Sequence, residues 1–355
     1  IINPTLINDQ INSLVEIADQ SGNNYLERWE LLNAYSGCML GNPAISVLCD
    51  AYSKGIRSYD IDKAYQYALN TSRMFGNNEN GYTPGSISHT LEYAYNDWCM
   101  ARLAEWLGKE ADKDVFDRRA GTYTTLYDPD YGWFRPRNEK GEYLPEQGRL
   151  AEGYGCVESN AYQQGWFVPH DVEGMIKLMG GREKVLADLT DMFEQTPVNY
   201  LWNQYYNHAN EPVHHVPFLF NRLGAPELTQ KWTRDICRNA YKNSVLGLVG
   251  NEDVGQMSAW YVLAASGLHP VCPGDQRYEL TSPVFEKVVF NLDADYAEGK
   301  TFVIEAHNNS PENIYIQQAT LNGKPYDKCY LMHADLMKGG TLVLQMGAKP
   351  SDWGK

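Results

Sequence analysis

The sequence predicts a mainly α-helical protein that ends in a small antiparallel β module, and two textures along the chain carry that expectation. Residues 1–270 repeat a unit of helix, polar connector and helix, whereas residues 271–355 change to period-two alternation after the Pro270 to Gly274 punctuation. Residues 86–107 show the helical pattern most clearly: apolar side chains recur three and four apart, and Gly108 ends the run. Residues 115–126 repeat it after an acidic start, residues 185–193 more briefly, and residues 231–241 again. A strand-like interruption at residues 131–137, followed by the turn Asn138 to Gly141, predicts a hairpin over one end of the helical region. Residues 287–292, 301–306, 314–321 and 341–346 then read as strands, with Asn322-Gly323 and Gly339-Gly340 as turns. The expected domains are 1–270, helical and carrying the chemistry, and 271–355, a β-sandwich-like module.

Composition narrows the function classes. A chain of 355 residues that is 43% hydrophobic and 21% charged can bury a large core. Its net charge of -15 excludes nucleic acid and anionic membrane as natural partners, because phosphate binding needs clustered Lys and Arg. The 25 Tyr and 9 Trp supply flat amphipathic rings that either fill a core or stack on sugar faces. Cys38, Cys49, Cys99, Cys156, Cys237, Cys272 and Cys329 form no C-x-x-C pair, so neither a zinc ribbon nor a dense disulfide framework is expected. No apolar run is long enough for a membrane span. The chain opens Ile-Ile-Asn-Pro without a starting Met or signal peptide and reads as a processed product or internal fragment. P-loop, dinucleotide and H-E-x-x-H motifs are missing from the sequence, which removes the common nucleotide and zinc-protease readings.

The most informative stretch is residues 250–260, where Asn251, Glu252 and Asp253 sit in a glycine-flanked turn that opens into an apolar helix through Gln256. A carboxylate beside free backbone N–H groups at a helix start is held ionised, as a general base or a hard-cation ligand requires. The plainer alternative is an N-cap, with Asp253 accepting from the Gln256 N–H. A second cluster places Glu158 after Gly153 and Gly155 and before Trp166, Phe167, His170 and Asp171. A glutamate beside aromatic rings loses hydration and keeps its proton, as a general acid must. In the structural alternative Glu158 caps a helix, the rings are core, and Asp171 caps the helix beginning at Val172. A third cluster, Asn210-Glu211-Pro212 with His214 and His215, offers hydroxyl-binding side chains and carbonyls in one turn. Adjacent histidines cannot easily aim both rings at one ion and no third spaced ligand follows, so zinc is not expected. The last cluster, Gly41-Asn-Pro43 with Lys54 to Asp60, reads as a turn and a solvated face.

Taken in order, these motifs resemble glycoside hydrolase family 92, the calcium-dependent exo-α-mannosidases that invert configuration. The resemblance rests on Gly41-Asn-Pro43, Lys54-Gly-Ile-Arg57 with Tyr59-Asp60, and Glu158-x-Asn160-Ala161 leading to Trp166-Phe-Val-Pro-His-Asp171. Asn210-Glu-Pro212 with His214-His215, then Gly250-Asn-x-Asp253 leading to Gly255-Gln-Met-Ser-Ala-Trp260, and finally Leu321-Asn-Gly-Lys324 extend it over nearly the whole chain. It implies an (α/α) six-hairpin toroid, incomplete at its N-terminus, with β segments beside it. It also implies Glu158 as general acid and Asp253 as base, with Glu252 as the alternative base. Asn210, Glu211, Trp166, His170, Asn251 and Gln256 would contact substrate, and Asp253 together with the His214 turn would hold Ca2+. An inverting hydrolase needs its carboxyl groups about 6.5–9.5 Å apart so that water fits between base and anomeric carbon. Asparagine at position 210, where His-Glu would suggest α-1,2 linkage, leaves that specificity open. Family members also carry an N-terminal β-sandwich half, the expected partner of this chain, and without it the chain is expected to hydrolyse little. The substrate class is a mannose-containing glycan and the expected compartment periplasmic or extracellular; the alternative function is a non-catalytic carbohydrate-binding fragment.

Overall fold

The computed structural model describes residues 1–32 and 34–355. The chain forms two compact units, Asn3–Met179 with Pro273–Asp275, and Gly180–Cys272 with Ile1–Ile2 and Gln276–Lys355. The helices after residue 180 therefore fold with the β-rich segment, although the change of texture near residue 270 does mark where that segment begins.

The first unit is built on α1 (Pro4–Ser21), α2 (Pro43–Ser53), α3 (Ile61–Met74), α4 (Ile87–Trp106) and α5 (Glu110–Ala120), followed by the short α6 (Ala161–Gln164) and α7 (Val172–Leu178). Two-residue strands pair antiparallel, β1 (Glu30–Leu31) with β2 (Ala34–Tyr35) and β3 (Tyr127–Asp128) with β4 (Trp133–Phe134). Helix α4 begins where the sequence predicts, with Ser86 accepting from His89 N. It is buried on nearly all sides, hence its even apolar distribution. The pattern at residues 115–126 divides: α5 gives way to a 3-10 segment, Gly121–Leu126, before β3. The predicted hairpin exists, with a bridge between Arg137 and Tyr143 beyond the short ladder.

The second unit contains α8 (Arg182–Glu194), α9 (Leu219–Arg222), α10 (Pro226–Asn239), α11 (Gln256–Ser266) and α12 (His333–Met337). Its strands are β5 (Leu268–Pro270), β6 (Arg277–Leu280), β7 (Lys287–Asn291), β8 (Thr301–His307), β9 (Tyr315–Leu321), β10 (Lys324–Pro325), β11 (Tyr330–Met332) and β12 (Gly340–Gly347). They form sheets of order β10-β9-β12-β8-β7 and β11-β6-β5. All pairs in these sheets are antiparallel except β12 with β8, which is parallel and corrects the expectation of a wholly antiparallel module. The alternation in β8 and β12 turns Phe302, Ile304, Ala306, Leu342, Leu344 and Met346 inward to one core. Helix α9 is tied to the smaller sheet by charge: buried Glu279 accepts from Arg222 Nε at 2.5 Å and faces Arg277 Nε at 2.7 Å.

Candidate active site

Glu158 stands in the loop that precedes α6. Gly155 places its carbonyl against the N-terminus of α4, accepting from Ile87 N at 2.7 Å, and its φ of 71° and closeness to Pro136 suit only glycine. Val157 N donates to Ser88 Oγ at 3.0 Å, and Asn160 closes the loop with a reciprocal capping box to Gln163. Between these anchors Glu158 adopts a φ of 51°, unusual for a side chain with a Cβ, and the residue is exposed. The expectation that neighbouring rings dehydrate Glu158 is therefore corrected.

Those rings face inward. Trp166 is fully buried, its ring centroid 5.1 Å from Trp133 in an edge-on packing, so it is a core residue and offers no face to a sugar. His170 donates from Nε2 to Ala120 O at 3.1 Å and packs edge-on against Tyr123. Burial pushes its pKa down to about 4, so the ring is a neutral structural strut rather than a substrate contact. Asp171 caps α7 through Gly174 N at 2.9 Å, as the structural alternative anticipated.

The second unit gathers the clusters at residues 210–215 and 250–256. Gly250, at φ 76°, lets the turn of residues 250–255 lie directly on Ala209; a Cβ there would fall 2.7 Å from Ala209 O. This contact brings the turn to the loop carrying Asn210, which is buried, and Glu211, which is half-buried and opens a 3-10 turn. Asp253 and Val254 follow at φ 49° and 55°, before Gly255 at 97° opens α11. The expected cap is corrected too: Gln256 N bonds the Asp253 backbone oxygen, not its carboxylate. The carboxylate that holds the helix start is Glu252, which accepts from Ser258 N at 3.2 Å and from Ser258 Oγ at 3.0 Å. Asp253 is left with no side-chain hydrogen bond among the described residues, while Asn251 and Gln256 are exposed beside it.

A buried network supports the turn. Tyr206 donates its hydroxyl proton to His208 Nδ1 at 2.8 Å, His208 Nε2–H donates to Tyr241 Oη at 2.7 Å, and Tyr241 donates to Met257 O at 3.0 Å. His214 Nε2–H donates to His208 O at 3.0 Å, and Nδ1 accepts from Gln256 Nε2 at 3.2 Å. These partners fix each ring's tautomer. Burial, opposed by the nearby Asp253 charge, holds the His214 pKa at about 4. The His214 carbonyl accepts the Trp260 indole N–H at 2.9 Å. With both nitrogens bonded the His214 ring has no lone pair for an ion, and of that residue only the second lone pair of its carbonyl stays open. Among the described residues no group of three or more His, Cys, Asp or Glu could hold a metal ion. Ser258 and Trp260 are site residues that sequence reading missed. A serine six positions after the glutamate lies outside the usual capping-box spacing.

The family model for the glycosyl hydrolase family 92 catalytic domain matches residues 1–348. A curated relative, described as an uncharacterized secreted glycosidase of Arthroderma benhamiae, is 33% identical over 299 residues, covering 77% of this chain and 37% of that protein. A family 92 α-mannosidase structure from Bacteroides thetaiotaomicron superposes with a TM-score of 0.90 at 35% identity, over 99% of this chain and 48% of the other. A second structure from that organism, described as an inverting mannosidase, gives 0.89 at 33% identity over 99% of this chain and 51% of the other. The chain thus spans about half the length of these solved relatives.

Proposed function

The chain belongs to glycosyl hydrolase family 92, and from that premise we propose that it serves in removing terminal α-linked mannose from glycans with inversion at the anomeric carbon. The observation that carries the reading is the likeness, over 99% of the chain, to a solved α-mannosidase and to a second structure described as an inverting mannosidase. In the proposed reaction the Asp253 carboxylate takes a proton from water as the water oxygen bonds to C1. Glu158 gives its proton to the departing glycosidic oxygen, so both carboxyl groups exchange roles by the end of the step. Asp253 is favoured over Glu252 as base because Glu252 is already committed to Ser258. Asn210, Glu211, Asn251 and Gln256 are proposed to contact the sugar from the loops that Gly250 brings together.

Calcium assistance belongs to the proposal as well. The donor set supports it only in part: Asp253 offers an uncommitted hard oxygen, but one carboxylate does not make a site for a cation that takes six to eight oxygens. The steps above therefore use none of its chemistry. Since the chain spans about half of the solved mannosidases, the proposal includes that residues of the kind those proteins carry elsewhere complete the site. A periplasmic or extracellular setting is proposed from the secreted relative, and no helix among the described residues is long and apolar enough to cross a membrane.

The test is proton NMR of a methyl or aryl α-mannoside incubated with the protein together with that completing part. β-Mannose as the first product supports inversion, α-mannose would replace it by retention, and no mannose at all would leave the carbohydrate-binding alternative. Glu158→Gln should slow methyl mannoside much more than an aryl mannoside with an acidic phenol, which departs without protonation.

A further inference from the structure

Beside α11 lies a groove of about 340 Å³ whose lining includes Tyr241, Lys242, Asn243, Ser258, Tyr261 and Val262. That volume is within the range of small-molecule sites, about 300–1,000 Å³. One wall is a closed loop: Lys242 N donates to Gly247 O at 2.7 Å, Ser244 N to Lys242 O at 2.9 Å, and Tyr241 bridges Leu248. Only glycine permits the closure, because a Cβ at residue 247 would fall 1.9 Å from Lys242 O.

The floor is rigid. Tyr241 lies parallel to buried Trp260 and 4.8 Å from the Tyr261 ring, with its hydroxyl spent on Met257 O and His208. In contrast, the Lys242 ammonium, the Asn243 amide and the Tyr261 hydroxyl make no side-chain hydrogen bond among the described residues. A fixed aromatic face ringed by an amide, an ammonium and hydroxyls matches a neutral pyranose, whose C–H face stacks while its hydroxyls bond outward. An anionic ligand fits less well, since the Glu252 carboxylate sits on Ser258 at the groove's edge. Ser258 also links the groove to the turn bearing Asp253.

We propose that this groove is a second saccharide site, holding a further sugar of the glycan whose terminal mannose is removed at the Asp253 turn. The inference rests on the hydrolase reading for its choice of glycan. It is tested by isothermal titration of α-linked mannotriose into the protein and into Tyr261→Ala, Tyr261→Phe and Asn243→Ala. Loss of the ring should weaken binding about tenfold, a change near 1.4 kcal/mol, Tyr261→Phe, which keeps the ring and loses only the hydroxyl, should weaken it less, and Asn243→Ala, on an exposed loop, should weaken it without altering the fold. Wild-type affinity in both Tyr261→Ala and Asn243→Ala overturns the site. Binding that follows Tyr261 while the protein together with its completing part releases no mannose would instead refute the hydrolase reading and leave the groove standing.

Discussion

Two adjacent carboxylates, Glu252 and Asp253, compete for the role of base, and the structure separates them by what each already holds. Replacing Asp253 with Asn removes a proton acceptor that makes no side-chain hydrogen bond, so folding should be unchanged within about 0.5 kcal/mol. Turnover should fall by about 10²–10⁴, the usual contribution of a positioned base. Glu252→Ala removes both bonds to Ser258 at the start of α11, a helix whose formal cap, Gly255, has no side chain to substitute. Loss of a side-chain cap and its charge at a helix N-terminus costs about 1–2 kcal/mol. Glu252→Gln keeps an acceptor for Ser258 N and should cost about 0.3–1 kcal/mol, the part owed to charge. The assays are urea unfolding and kcat on an aryl α-mannoside, measured on the same preparations of the complete enzyme. The expected result is a crossed pattern: Asp253→Asn inactive and stable, Glu252→Ala active but less stable. A stable Glu252→Gln with turnover reduced as far as that of Asp253→Asn would refute the assignment and move the base to Glu252.

Trp166→Ala should destabilise the protein by about 3–5 kcal/mol, the cost of emptying a buried aromatic site, and Trp166→Phe by much less; a normally stable Trp166→Ala with a raised KM would return the residue to the sugar. His214 and His269 are held near 4 and 3 by burial, so the unfolded chain binds more protons below the ordinary value of 6.5 and their contribution falls as pH drops from 6.5 toward 4. Ring NMR should show both unprotonated down to about pH 5, and a titration near 6.5 would contradict their burial. Glu92 has the opposite sign: burial raises it to about 8, so its contribution is present below 4.5 and lost as pH rises through 8. Glu92→Gln should therefore unfold at higher urea than wild type at about pH 9, whereas an equal midpoint would show that the carboxyl is solvated. If Asp253 is a calcium ligand, added Ca2+ should raise the wild-type melting temperature after chelation but leave Asp253→Asn unmoved; an equal rise in both would place the ion elsewhere.

Much of the fold was legible because caps and periodicity are local. Ser86 and Gly108 bound α4, Asp171 starts α7, and the alternation at residues 301–306 and 341–346 appears as the buried faces of β8 and β12. Alternation assigns a face but carries no record of a strand's partner, so the parallel pairing of β8 with β12 could not be read. The site clusters were legible as clusters, and their internal division of labour was not. A tryptophan in a glycine-punctuated motif has the same signature whether it meets a sugar or Trp133, and only three-dimensional packing distinguishes them. Likewise, the contact of Gly250 with Ala209 joins segments 41 residues apart in number, and neither segment contains a pattern that names the other.

The backbone itself supplies a further link between sequence and chemistry. Glu158, Asp253 and Val254 all occupy positive φ, a region that costs a side chain with a Cβ about 1–2 kcal/mol and is least tolerant of a β-branched residue such as Val254. Glycine would relieve that cost, so the conformations persist because surrounding contacts determine them. Around Glu158 the anchors are the Gly155 carbonyl on α4 and the Asn160 capping box; around Asp253 they are the Glu252–Ser258 bonds, the Trp260 bond to His214 and the backbone contact at Ala209. In both turns the residues that hold the backbone are spent on that task, and the carboxylate belongs to the residue at the strained position. That division of labour fits the roles proposed for Glu158 and Asp253, whose backbone directions would be set by neighbours that substrate need not touch.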